Sequence, residues 1–476
     1  MNFYKFIIAR LNGRDIEKDF DYYLRLVKKG IAGFIVFGGE LNTVRQGIRE
    51  LQKEADGCLI IASDLERGLG QHIEGGTIFP PAMAVASAVK KDSSRFTVHG
   101  SQLKLLRKIF KTIAIEARYA GINTIFAPVL DINTNLRNPI ISTRAFGEDP
   151  ESVSFFGCEM IKIFQSHGIT ACGKHFPGHG DTETDSHIKL PKIKKDIKAL
   201  SKTELAPFRT AIKAGVKMIM LGHLNVPALD PSGIPVSLSQ KAVSYLRNKL
   251  GFKGIIITDA MNMGGIGKYS EEEASLMVLN AGVDILLHPA DPDRVAAYLA
   301  QKLSAVGFQR SGKSLFPQKI KTSVVPDFEK NGRLAEKITK MSIKIDGQIK
   351  LMKNPLLIIL SDDMENKSKT LIDRLKLRHP NLEFLRFKAE RNVSLNNIPE
   401  NRELIVAVFS GIRAWKGGTS PWLLKCITEL KDKTEIFISF GSPYLIDRVG
   451  NDATRIYAYW DSEAAQKAVT EVIMQG

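Results

Sequence analysis

Short apolar runs recur through the first 290 residues, spaced so that a helix fits between many of them. They occupy residues 5–11, 33–39, 58–66, 123–131, 169–176, 218–226, 254–261 and 284–291. Each is nearly continuous in apolar residues, as in GFIVF and GIIIT, rather than alternating. Strands of that kind are buried on both faces, as in a parallel sheet covered by helices. Helical patterns such as DYYLRLVKKGI and KAVSYLRNKLG lie between them. Eight strands separated by helices predict a (β/α)8 barrel of the TIM type.

Past residue 300 the texture changes. SAVGFQRSGKSLFPQKIKTSVVPDF is polar and carries Pro and Gly, and the helical pattern NGRLAEKITKMSIKI follows it. From Pro355 a second α/β alternation begins. Apolar runs at 355–362, 382–388, 403–410, 434–441 and 455–460 are interleaved with helical stretches such as TLIDRLKLRH and WLLKCITELKDK. The expected division is a catalytic barrel over 1–335, a linker over 336–354 and a smaller α/β sandwich domain over 355–476. There is no fixed-period repeat and no low-complexity tract.

Composition narrows the class. The 476 residues are 44% hydrophobic and 25% charged, which is globular. No apolar run approaches the roughly 18 residues of a membrane span, so membrane insertion is not expected. The N-terminus reads as a first strand, not a signal peptide. Cys58, Cys158, Cys172 and Cys426 sit singly in apolar contexts, as reduced thiols of a cytoplasmic protein would. The net charge is +16, and residues 350–476 hold 19 Lys and Arg against 16 Asp and Glu, so most of the excess lies in the first 349. The lysines are dispersed apart from short clusters such as KIKKDIK. That pattern reads as a solvated surface and predicts no nucleic-acid partner.

Candidate chemistry gathers at the ends of the predicted strands. Seven of the eight runs carry ionisable residues toward their C-terminal end: Arg10, Asp64 with Glu66, Asp131, Lys174 with His175, His223, Asp259, and His288 with Asp291. Barrel enzymes assemble their sites at that face. The densest stretch is GKHFPGHGDTETDSH at 173–187, with His175, His179 and His187 among Asp181 and Asp185. A metal site is one reading. Zinc ligands at i and i+4 rely on a helix, however, and Pro177 and Gly178 lie between His175 and His179. Lys174 would also repel a cation. Acid/base chemistry is the other reading. A carboxylate two residues from an imidazole, as Asp185 is from His187, can orient the ring and favour its protonated form. Asp259 at the tip of GIIITDAM can serve as a nucleophile or as the N-cap of the next helix.

Taken together, KHFPGHGDTETDSH and the later TDAM resemble glycoside hydrolase family 3, and its β-N-acetylhexosaminidase branch in particular. SDLERG (63–68), NPIISTRAFGEDP (138–150) and LGFKGIIITDAM extend the resemblance over about residues 30–290. The resemblance implies a retaining exo-β-N-acetylglucosaminidase. Asp259 would be the nucleophile, His187 the general acid/base, and Asp185 its dyad partner. Asp64, Arg144, Lys174 and His175 would bind the sugar, while His179 would support the loop. It implies no metal and no cofactor. The expected substrate is a small carbohydrate ending in β-linked GlcNAc, from muropeptides or chitooligosaccharides. One departure stands out. Where the branch shows DQEGGRVxR, this chain has DLERGLGQH, with Leu69 and His72 at the arginine positions, which puts the contacts of those arginines in doubt. The C-terminal domain would be structural or would cap the substrate, and GIRAWKGGTSPW (411–422) is expected to pack its aromatics. The alternatives are another sugar specificity, a β-glycoside phosphorylase, or a non-catalytic sugar-binding protein.

Overall fold

Eight parallel strands close into a barrel in sequence order. They are β1 (Ile7–Asn12), β2 (Gly33–Phe37), β3 (Ile60–Ser63), β4 (Thr124–Ile125), β5 (Thr170–Phe176), β6 (Met218–Leu221), β7 (Ile255–Ala260) and β8 (Ile285–Leu287). β8 pairs back onto β1 through Ile7 and Leu286, which leaves no edge. The structure is a computed structural model, and it describes residues 2–90, 98–304, 324–350, 352–362, 367–389, 395, 398–399, 401–412, 416, 418–447, 449 and 452–475. Each of the eight apolar runs contains one barrel strand. β3, β6 and β8 are buried along their whole length, in keeping with their unbroken apolarity.

One cluster fills the barrel: Ile8, Ile35, Ile60, Phe126, Cys172, Met218, Ile257 and Ile285, with their neighbours. Side chains such as these stabilise by roughly 1.5–3 kcal/mol each on full burial. A filled interior makes the barrel a rigid frame, so chemistry is left to the loops at the strand ends.

The second sheet has six strands in the order β11-β10-β12-β13-β14-β9. β10 (Pro355–Ser361), β11 (Glu383–Lys388), β12 (Glu403–Ser410), β13 (Thr434–Gly441) and β14 (Thr454–Tyr457) run parallel. β9 (Lys344–Asp346) pairs antiparallel to β14. Within residues 336–354, therefore, lie the last turns of the helix Phe328–Ser342 and this edge strand. The sheet separates two cores by strict alternation. Leu356, Ile358 and Leu360 face one, with the helix Pro421–Leu430. Leu357 and Ile359 face the other, with the helices Lys369–Arg378 and Glu463–Gln475. Trp422 packs against the first core, while Trp415 lies outside the described residues.

By contacts the chain forms two units. The first comprises Met1–Ile78, Leu103–Asn135 and Ala145–Gly332. The second comprises Phe79–Gln102, Leu136–Arg144 and Arg333–Gly476.

Candidate active site

The C-terminal ends of the barrel strands deliver the charged residues. Asp64 follows β3, Lys174 and His175 lie in the last half of β5, His223 follows β6, and Asp259 lies near the end of β7. β5 departs from regular register between Gly173 and Phe176, and its Lys174–His175 peptide is cis.

Lys174 is 2% exposed. A buried ammonium needs compensating charge, and it has two carboxylates: Asp64 Oδ1 and Glu66 Oε1, each 2.7 Å from Nζ. Asp64 keeps about a quarter of its side-chain surface open, at 27%, against 8% for Glu66. Lys174, itself paired with Glu66, therefore holds Asp64 and leaves it able to accept from a ligand hydroxyl.

His175 is fixed by Asp131. Its Nδ1 donates to Asp131 Oδ2 at 2.7 Å, and its backbone N–H donates to Oδ1 at 3.1 Å. Asp131 Oδ1 also accepts the His179 N–H at 2.7 Å. Burial pushes the Asp131 carboxyl up, but the His175 and His179 groups around it outweigh that and hold it below the ordinary range. His179 is 1% exposed, and burial drives its imidazole down to about 4. Its Nδ1 is 2.7 Å from the Thr182 hydroxyl. A Cβ on Gly180 would collide with the carbonyl of Ile132, so only glycine allows the loop to pass there.

Asp185 and His187 meet as their spacing predicts. His187 Nδ1 donates to Asp185 Oδ1 at 2.8 Å, and the His187 backbone N–H donates to the same oxygen at 2.9 Å. The carboxylate is fully buried, while the ring keeps 21% of its surface exposed. The proton on Nδ1 is thereby fixed, and exchange with a bound molecule falls to Nε2.

Asp259 is partly exposed at the end of β7. Its Oδ1 accepts the Ala260 N–H at 2.8 Å, which orients the carboxylate. Burial raises its pKa, but the imidazoles of His175, His223 and His187, with the Ala260 N–H, more than reverse this and keep it ionised. His223 is wholly buried and donates from Nε2 to the Ala260 carbonyl at 3.0 Å, while its Nδ1 lies 2.7 Å from Ser237 Oγ. Burial lowers its pKa, and its hydrogen bond pins the peptide after Asp259.

Asp64, Lys174, His175, Asp185, His187 and Asp259 thus belong to the barrel unit, and the strand ends and the 177–190 loop carry them to one face. Arg144 belongs to the second unit, where its guanidinium donates to the Ile140 carbonyl at 2.9 Å. Leu69 is fully buried. His72 packs edge-on to Phe37 with centroids 5.0 Å apart, and burial lowers its pKa despite the pull of Asp64 and Glu66. Among the described residues no three His, Cys, Asp or Glu side chains converge as they would on a metal ion. Roles for Glu66, Asp131 and His223 did not come from the motif, although all three were visible as strand-end charge.

What the site can do follows from these contacts. An ionised, oriented carboxylate can attack an electrophilic carbon. A carboxylate-held imidazole can give and take a proton. The Asp64–Lys174–Glu66 cluster can hold a hydroxylated ring.

Residues 20–312 match the family model described as glycosyl hydrolase family 3 N terminal domain. Beta-hexosaminidase A of Pseudoalteromonas piscicida is 35% identical over 305 residues, which are 58% of this chain and 50% of that protein. The chain therefore spans half the length of that relative. The beta-hexosaminidase of Neisseria meningitidis serogroup C (strain 053442) is 33% identical over 280 residues, 57% of this chain and 74% of that protein. Among solved structures, the glycoside hydrolase family 3 beta-N-acetylglucosaminidase from Paenibacillus sp. str. FPU-7 superposes with a TM-score of 0.78 at 26% identity, covering 99% of this chain and 95% of that one.

Proposed function

The chain belongs to glycosyl hydrolase family 3, and on that premise we propose that it is a retaining exo-β-N-acetylglucosaminidase. Asp259 attacks the anomeric carbon and forms a glycosyl-enzyme. His187, as the imidazolium, protonates the leaving oxygen from Nε2, and the neutral ring then takes a proton from the water that attacks the glycosyl-enzyme and releases Asp259; Asp185 stabilises the imidazolium before the first step and after the second. Asp64, held by Lys174, binds hydroxyls of the terminal sugar, together with Lys174, His175 and Arg144. The substrate is a glycan ending in β-linked GlcNAc, a muropeptide or a chitooligosaccharide.

The observation that carries this reading is the contact from Asp185 to His187 at 2.8 Å, on a loop hydrogen-bonded to the one that follows Asp259. Retaining glycosidases ordinarily pair two carboxyls about 5–5.5 Å apart. A neutral imidazole as base does not repel an anionic nucleophile, so the arrangement leaves phosphate open as an acceptor beside water. The relatives named beta-hexosaminidase favour GlcNAc as the sugar.

The second unit is proposed as accessory to the barrel chemistry. No helix among the described residues is long and apolar enough to cross a membrane. None of the four cysteines is in a disulfide, and the proposal places the enzyme in the reducing cytoplasm.

The test has two parts. A panel of aryl β-glycosides, run in phosphate and in an inert buffer, should show N-acetylglucosaminide turned over at least tenfold faster than glucoside or xyloside, with rates indifferent to phosphate. Preference for another sugar, or a glycosyl phosphate product, would replace the proposed activity. Asp259→Asn should fold and lose nearly all turnover. A variant keeping more than about a tenth of the wild-type rate would remove Asp259 from the nucleophile role.

A further inference from the structure

Alternate residues of a strand share a face, and on the barrel strands one face points inward. Ile8, Ile35, Ala62, Cys172 and Ile257 all lie in the barrel core. Two residues further on, the same series continue with Arg10 on β1, Phe37 on β2, Asp64 after β3, Lys174 on β5 and Asp259 on β7. Asp64, Lys174 and Asp259 belong to the proposed site, and Phe37 packs against the core. Arg10 has no role so far. It is exposed although its series faces the barrel interior, so its side chain reaches solvent through the mouth.

No ion pair holds it there. Among the described residues Arg10 has no carboxylate partner, and its side chain donates no hydrogen bond. Its guanidinium lies over the Phe37 ring instead, with Cζ 5.3 Å from the centroid. A ring face holds a cation without using its N–H groups. Phe37 is in turn flanked by His72, edge-on at 5.0 Å, and by His288 at 6.4 Å. His288 takes a left-handed φ of 51°, uncommon outside glycine. Its backbone N–H donates to the Ile8 carbonyl at 2.7 Å. Arg10 is near enough to His288 to help lower its pKa, and Asp64 is near enough to oppose the shift.

Position round the barrel decides what Arg10 can reach. β3 and β7 are four strands apart in a closed ring of eight, so Asp64 and Asp259 face each other across the mouth. β1 and β5 are opposite in the same way, so Arg10 and the pair Lys174–His175 flank that line. A pyranose with its anomeric carbon on Asp259 points its C4 end at Asp64. One long edge of the ring then lies along Lys174 and His175, and the other along Arg10. The two edges differ in chemistry. One carries the acetamido group, whose N–H needs an acceptor and whose methyl needs apolar room. The other carries the ring oxygen and the C6 hydroxymethyl group. A guanidinium only donates, and here it covers the face of Phe37. The Arg10 wall therefore suits the oxygens of the second edge.

On the glycosidase reading of the barrel, on which this rests, we propose that Arg10 is a substrate-binding residue that donates to the C6 hydroxyl of the terminal sugar and sets specificity at that carbon. Asp64 accepts at the C4 end, and the two side chains hold the ring away from the reacting bond. Phe37 keeps the guanidinium in place before substrate arrives, so less side-chain freedom is lost on binding.

Three substrates and two variants test it. The substrates are 4-nitrophenyl N-acetyl-β-glucosaminide and its 6-deoxy and 4-deoxy analogues. Arg10→Met keeps an apolar stem over Phe37 and removes the donors, while Arg10→Lys keeps one charged donor group. Losing a charge-assisted hydrogen bond costs about tenfold to a hundredfold, so wild-type kcat/KM should fall by that factor on the 6-deoxy substrate. Arg10→Met should show the same loss on the parent and on the 4-deoxy substrate, yet stay within about twofold of the wild type on the 6-deoxy one. Arg10→Lys should recover part of the loss. An unchanged rate on the parent, an equal loss on all three substrates, or a loss cancelled by the 4-deoxy change instead would each overturn the proposal. If Arg10→Met does not fold, Arg10→Lys carries the same comparison, because a merely disturbed barrel lowers all three rates alike. A wild type inactive on every aryl glycoside would sink the barrel activity itself, whereas an active wild type with an indifferent Arg10→Met sinks this assignment alone.

Discussion

The backbone N–H of Gly264 donates to the carbonyl oxygen of His187 at 3.0 Å. Beside it the Gly265 N–H donates to the Ser186 carbonyl at 2.9 Å. The loop bearing the proposed acid/base is thus fastened to the loop that follows the proposed nucleophile, and their relative position is set by backbone rather than by flexible side chains. The approach needs glycine: a Cβ on Gly265 would stand 2.7 Å from His223 Cβ and 2.8 Å from the Ser186 oxygen.

Gly265→Ala should therefore displace the 185–188 segment without unfolding the barrel. A shift of about 1 Å in a reacting group costs up to about a hundredfold in rate, so kcat/KM should fall tenfold to a hundredfold. Circular dichroism and the melting temperature should change little. A near-wild-type rate would show that the fastening does not position His187.

The dyad makes a separate claim, about proton transfer. Asp185→Ala removes the carboxylate at 2.8 Å from His187 Nδ1 and so weakens the imidazolium. Substrates with poor leaving groups need protonation, whereas activated phenols do not. Single-turnover rates should drop by about 100-fold or more for alkyl or sugar leaving groups, and much less for dinitrophenol. Equal losses across the series would mean that His187 is not the acid.

How much of this was legible in the sequence depends on how local each signal is. The barrel strands were legible because double-sided burial leaves unbroken apolar runs. β4 is shorter than its run, only Thr124–Ile125, yet beyond it the Ala127 and Pro128 carbonyls and the Leu130 N–H stay bonded to β5, and the chain so guided brings Asp131 to His175. β9 was not expected: its three residues, Lys344–Asp346, are all exposed at a sheet edge and carry no apolar pattern. Asp185 and His187 were legible as a pair because two residues separate them. The contacts of Asp131 with His175, of Glu66 with Lys174 and of Gly264 with His187 join residues far apart in the chain. No spacing rule finds such pairs, and only the closed barrel brings them together.

The buried imidazoles should make the protein sensitive to acid. His179 titrates near 6.5 when unfolded and at about 4 when folded, because burial favours its neutral ring. His288 is also driven to about 4, by burial first and then by Arg10, and burial lowers His72 and His223 as well. For each, the unfolded chain takes up a proton before the folded one does. Stability is therefore complete above about pH 6.5 and is lost as pH falls toward 4. His179 alone accounts for roughly 3 kcal/mol of that loss. Urea midpoints measured from pH 7.5 to 4.5 should fall steadily, and His179→Asn should flatten part of the slope. A midpoint constant over that range would contradict the neutral, buried assignment.

The last expectation concerns the excess positive charge. The first 349 residues carry most of the +16, and muropeptides are anionic through their lactyl and peptide carboxylates. A net field of that sign draws such a substrate in by long-range steering, which salt screens over about 10 Å at 0.1 M. Arg67, which follows Glu66 and whose backbone N–H is held by Gln71 Oε1 at 2.9 Å, is the basic residue next to the Asp64–Lys174 cluster. For an anionic muropeptide, kcat/KM should fall on the order of threefold or more as ionic strength rises from about 0.01 to 0.5 M. A neutral aryl N-acetylglucosaminide should change far less over the same range. Arg67→Gln should reduce the salt dependence for the anionic substrate alone. Parallel responses of the two substrates would show that the lysines are spread too evenly to focus a field, and would leave the assignments of Asp185, His187 and Asp259 as they stand.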